Sequence, residues 1–106
     1  MQSYMHPDPS AQRQIETSQH DVLPQILSHL KRVVEIENGY RLCFHSEDEI
    51  LGLICEWLII ERVCNPFLRY RLGLESNNGP MKLEVNGPAG TKSFLADELG
   101  LQRWLQ

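Results

Sequence analysis

Pro66 constrains this chain more than any other residue. Proline disfavours helical geometry at the residue before it, so a helix reaching Asn65 must stop there. On its N-terminal side Ile50, Leu51, Leu53, Ile54, Trp57, Leu58, Ile59, Ile60 and Val63 make a long apolar helical pattern. On its C-terminal side Leu68, Tyr70, Leu72 and Leu74 alternate with Arg69, Arg71, Gly73 and Glu75, which is the period of a half-buried strand. The joint Glu61–Leu72 therefore connects a helix to a strand and holds Cys64 at the boundary.

The helix before the joint starts at Ser46. Ser46 and Glu49 have capping-box spacing, and Glu47, Asp48 and Glu49 suit the positive end of a helix dipole. It runs to about Cys64 and is apolar nearly all round, so it is expected to be buried on several sides. A chain of 106 residues can hardly cover all of that surface. Part of it is expected to meet a second copy, which makes a homodimer through the apolar central helix.

Upstream, residues 1–20 read as a polar tail and 21–106 as a single domain. Asp21 is placed to cap a first helix carrying Leu23, Ile26, Leu27, Leu30 and Val34 on one stripe, with Asn38-Gly39 ending it. Tyr40 to His45 alternates as a strand. Downstream, Ser76 to Pro80 is a hairpin loop and Met81, Leu83 and Val85 mark the return strand. A last helix starts near Thr91 and stops at Gly100, with Leu101, Trp104 and Leu105 as an apolar clasp. The order is α-β-α-β-β-α. It predicts an α+β two-layer sandwich, a three-stranded sheet with helices on one face.

Function classes fall away on composition. A net charge of −4 argues against general nucleic-acid affinity, which rests on neutralising phosphates. No apolar run approaches the roughly 18–20 residues of a membrane helix, and the N-terminus lacks a basic-then-apolar leader. Three cysteines with no Cys-x-x-Cys pair suit a reducing cytoplasm better than a disulfide framework.

The chemistry-bearing residues are few. Cys55 and Cys64 lie on one helix, half a turn out of phase and about 13 Å apart along its axis, so they cannot share a metal within one chain. Cys43 and Cys55 read as small core or near-core residues. Cys64 sits at a helix C-terminus, whose negative dipole end opposes a thiolate. With Glu61 it offers two soft-metal ligands, fewer than a site needs. Gly87-Pro88-Ala89-Gly90-Thr91-Lys92 resembles a phosphate loop but has the wrong spacing, and a turn opening a helix explains it better. The polar sheet face carries Arg41, His45, Arg69, Arg71 and Lys82 as candidate ligand-binding residues for an acidic partner or nucleic acid. RNA-binding sheets carry stacking aromatics on such a face, and only Phe67 stands near it. The plainer reading is a solvated face with Arg/Glu pairs across the strands. No catalytic constellation is visible, and no cofactor is expected.

Glu61-Arg62-Val63-Cys64-Asn65-Pro66-Phe67, Gly79-Pro80, and Gly87-Pro88-x-Gly90-x-Lys92-x-Phe94-Leu95 occur in that order. Over about Leu23 to Leu101 the chain resembles a family of small uncharacterised bacterial proteins. Their helix ends in Glu-Arg-x-Cys-Cys-Pro-Phe and their hairpin is followed by Gly-x-x-Gly-x-Lys-x-Phe. The resemblance implies soft-metal or redox chemistry at adjacent thiols and a loose link to metal resistance. Asn65 stands where the second cysteine would be, which removes the dithiol from this chain.

The expectation is a small cytoplasmic binding or regulatory protein, dimeric and non-catalytic. Soft-metal or thiol binding at Cys64, and nucleic-acid or acidic-ligand binding on the polar sheet face, are the alternatives.

Overall fold

The computed structural model describes residues 22–105. The tail read at residues 1–20 and the cap read at Asp21 lie outside the described residues. The order of elements is a helix over residues 22–28 (α1), then β1 (Leu30–Ile36), β2 (Gly39–Phe44), α2 (Asp48–Cys64), β3 (Arg69–Leu74), β4 (Met81–Asn86) and α3 (Thr91–Leu99). A 3-10 turn over Gln102–Trp104 follows. The class is α+β, as expected. The sheet has four strands rather than three, in the order β1-β2-β4-β3, all antiparallel.

The extra strand comes from the second half of the first expected helix. Leu30 and Val34 continue the stripe of α1, yet helix ends at residue 28. Val33, Val34 and Ile36 are β-branched and favour the strand, where a half-buried pleat accepts them. Asn38-Gly39 is therefore not a helix cap. Asn38 adopts a positive φ of 54° in a two-residue turn, and Ile36 pairs with Gly39 across it. Gly39 is also required by its far neighbour. A β carbon there would collide with the Val85 carbonyl and with Asn86 on β4.

α2 differs at its start and agrees at its end. Glu47, not Ser46, takes the N-cap position in an extended conformation, and no side chain caps the helix, so the expected capping box does not form. The helix ends at Cys64, and the Asn65 amide bonds back to the Glu61 carbonyl at 2.7 Å. α3 ends where Gly100 takes a left-handed φ of 63°.

One hydrophobic cluster joins a single face of the sheet to all three helices. Tyr40, Leu42 and Phe44 meet Met81, Leu83 and Val85, and above them lie Ile26, Ile50, Ile54, Trp57, Leu95 and Leu99. Leu101 joins this core, whereas Leu105 is exposed, so the C-terminal clasp is held by Leu101 with Trp104 half-buried. α2 buries only Ile50, Ile54, Trp57 and Glu61, one stripe of its surface. Ile59 and Val63, on the opposite side, are 68% and 66% exposed. The helix is thus packed on one side, not several.

Candidate functional site: the open sheet face and the Glu61–Leu72 joint

Strand register sets which side chains share the sheet's other face. Arg32, Cys43, Lys82 and Gly73 form one row across the four strands. Val34, Arg41, Glu84 and Arg71 form the next, and Ile36, Gly39, Asn86 and Arg69 the third. The sheet-face candidates Arg41, Arg69, Arg71 and Lys82 therefore do come together. Arg32 joins them, a residue missed while β1 read as helix. The rows hold five cations and one carboxylate. The carboxylate, Glu84, is paired with Arg41 at 2.7 Å. Lys82 reaches Glu75, just beyond β3, at 3.9 Å. Arg32, Arg69 and Arg71 are exposed.

His45 follows β2 and is exposed. It lines a shallow recess with Lys31, Arg32, Cys43, Pro80 and Lys82. Cys43 forms part of that recess and is buried at 8% exposure, as expected of a small near-core residue. Cys55 is exposed on the outer side of α2, which corrects its placement in or near the core. No aromatic residue stands in the three rows of the open face.

The joint is a second polar centre. Glu61 is 2% exposed, a buried carboxyl on the core stripe of α2. The Asn65 side-chain amide donates to Glu61 Oε1 at 2.9 Å, so Asn65 ties the buried carboxyl to the helix end. Trp57 meets the Tyr70 ring edge to face with centroids 6.3 Å apart. The Tyr70 hydroxyl is buried and has no hydrogen-bond partner among the described residues. Its phenol is pushed up from its ordinary value by burial, then by Glu61, then by Cys64.

Cys64 is exposed as a residue. Partial desolvation of its thiol, followed by the carboxylates of Glu61 and Glu98, still pushes its pKa up. That makes the thiolate scarce at neutral pH. Glu61 and Cys64 are neighbours in space, but among the described residues no group of three or more His, Cys, Asp or Glu side chains is placed to hold a metal. The structure thus brings the two candidate ligands together, with no third candidate among the described residues.

The other half of the motif packs onto this joint. Phe67 meets Phe94 of α3 edge to face, with ring centroids 5.2 Å apart. A β carbon at Gly87 would lie 2.7 Å from Thr91 Oγ1 and 3.3 Å from the Phe67 carbonyl. Thr91 is buried, and its hydroxyl donates to the Pro88 carbonyl at 2.6 Å. Lys92 pairs with Glu35 on β1 at 3.3 Å. Gly-Pro-x-Gly-x-Lys-x-Phe is thus a turn and helix start fitted to the joint, with its hydroxyl and its lysine already engaged.

No family model, no curated protein and no solved structure matches this chain. No helix among the described residues is long and apolar enough to cross a membrane.

Proposed function

We propose that this chain is a non-catalytic cytoplasmic binding protein that takes an acidic polypeptide on its open sheet face and works as a homodimer through α2. The observation that carries the reading is the charge separation. A protein of net charge −4 gathers five cations and one carboxylate in the rows of one sheet face that no described helix covers. Among the described residues, Asp48, Glu49, Glu56, Asp97 and Glu98 stand on the helical side instead. Such a face attracts an anionic partner and orients it before contact. Nucleic acid is the weaker candidate, because the three rows of the face carry no aromatic side chain for bases to stack on and only the His45 imidazole stands beside them.

The same proposal makes the chain a member of the bacterial family its motif resembles. The motif then acts as architecture. Glu61, Asn65, Phe67, Gly87 and Phe94 fasten α2, β3 and α3 together, as their contacts support. Soft-metal binding at Cys64 and Glu61 finds no supporting third ligand among the described residues.

The test is titration of fluorescent poly-glutamate and a single-stranded oligonucleotide of equal charge. Each is run at low and at physiological salt. Salt-sensitive binding of the polypeptide, lost in Arg69→Glu/Arg71→Glu, is expected. No binding of poly-glutamate at low salt, or equal binding by the charge-reversed variant, would overturn the acidic-partner reading.

A further inference from the structure

The outer side of α2 has a pattern that its burial does not explain. At 100° per residue, Cys55, Ile59 and Val63 fall on one stripe opposite the buried one, and Gly52 continues it. All four are exposed, with Ile59 and Val63 at 68% and 66%. A β carbon at Gly52 would meet nothing within 4 Å. Glu56 flanks the stripe on one side and Arg62 flanks it on the other. Both are exposed, and neither has an ion pair or hydrogen bond among the described residues.

These two charges stand three residues before and three residues after Ile59. A two-fold axis beside Ile59 exchanges the two positions between antiparallel copies of the helix. We propose that α2 packs against α2 of a second copy, antiparallel, about a two-fold axis at Ile59. Ile59 then meets the partner's Ile59. Cys55 and Val63 fill the next rows, and Glu56 pairs twice with the partner's Arg62. This rests on the dimer reading above and gives it a geometry.

Helix packing permits the contact. At a left-handed crossing near 20° and an axial separation of 8–10 Å, the β carbons of Glu56 and the partner's Arg62 come within about 7–8 Å. Long Glu and Arg side chains bridge that gap. In a parallel pair the same charges stand about 9 Å apart along the axis, and the pairing is lost. A closed two-fold contact must be self-complementary, and a stripe with opposite charges at equal distances from its centre meets that condition. An unlike partner would need no such symmetry. The small Gly52 and Cys55 also let the helices approach closely.

The measurement is the dimer dissociation constant of the full chain by sedimentation, for wild type, Glu56→Arg, Arg62→Glu and the double exchange. The wild type is expected at twice the 12.3 kDa chain mass at micromolar concentration. Each single reversal places two like-charge pairs across the axis and should weaken the dimer about tenfold. The double exchange should return it to within about threefold of wild type, because it restores both pairs. Ile59→Cys in a Cys55→Ser/Cys64→Ser background should form an interchain disulfide under mild oxidation. All these positions are exposed, and unchanged circular dichroism confirms that folding is intact. A dimer indifferent to both reversals and not cross-linked through position 59 would overturn this geometry and leave the dimer reading standing. A monomeric wild type would overturn both, without touching the acidic-partner reading.

Discussion

Tyr70 carries a buried hydroxyl with no hydrogen-bond partner among the described residues. An unpaired buried hydroxyl destabilises, so removing it costs little. Tyr70→Phe is expected to leave stability at pH 7 unchanged or raised by up to about 1 kcal/mol in urea denaturation. The pH dependence has a definite sign. The folded phenol holds its proton above the unfolded value of about 10. Above that pH the unfolded chain binds fewer protons than the folded one, so stability falls as pH rises. Below it the group contributes no slope. The alkaline decline should be shallower in Tyr70→Phe, and an identical decline would show that Tyr70 is not its source. Asn65 poses the opposite case. Asn65→Cys restores the adjacent thiols of the resembled motif but removes the bond to Glu61. It should cost about 1–2 kcal/mol in the same measurement. Neither effect was legible in the sequence, where Glu61 read as a metal neighbour and Asn65 as a lost ligand. Their pairing is a local helix-end contact, but the burial that gives it weight comes from the fold.

At the scale of elements, period alone misassigned Leu30–Ile36. Leu30 and Val34 fit the helical stripe of Ile26 and Leu27, but the register shift between Leu30 and Arg32 sends Leu30 to the core face and Val34 to the open face, which no simple period foretells. The deciding signals were there: three β-branched residues, then the turn formers Asn38 and Gly39 before the alternation that starts at Tyr40. The error hid Arg32, the fifth cation of the open face. The other four were legible because β2, β3 and β4 alternate cleanly. α2 was legible in extent but not in environment, since its apolar outer stripe is left exposed. Gly39 gives the element-scale prediction. Gly39→Ala forces a β carbon into the β4 backbone and should cost about 1–3 kcal/mol, read as a lowered urea midpoint. A midpoint within error of wild type would mean that β2 and β4 can separate to admit a methyl group.

At the scale of the molecule, charge and apolar surface divide by side among the described residues. The sheet presents cations, and the helical side presents carboxylates and the apolar stripe of α2. A second copy seated on α2 would leave both sheet faces turned to solvent, free for acidic partners. The strand order has a further consequence, for how the chain assembles. β1–β2 and β3–β4 are each closed by a short local turn, but the sheet becomes one only when β2 finds β4, joining Gly39 to Asn86. Bringing together segments this far apart in the chain is the slow step of such a topology. A cut in the exposed segment His45–Glu47 severs no strand pair. Fragments 22–46 and 47–105, each without a complete sheet, should be unfolded alone and recover the circular dichroism of the intact chain when mixed. Recovery should be second order in fragment concentration. Failure to recover would mean that β4 reaches its place only while α2 is still tethered to β2.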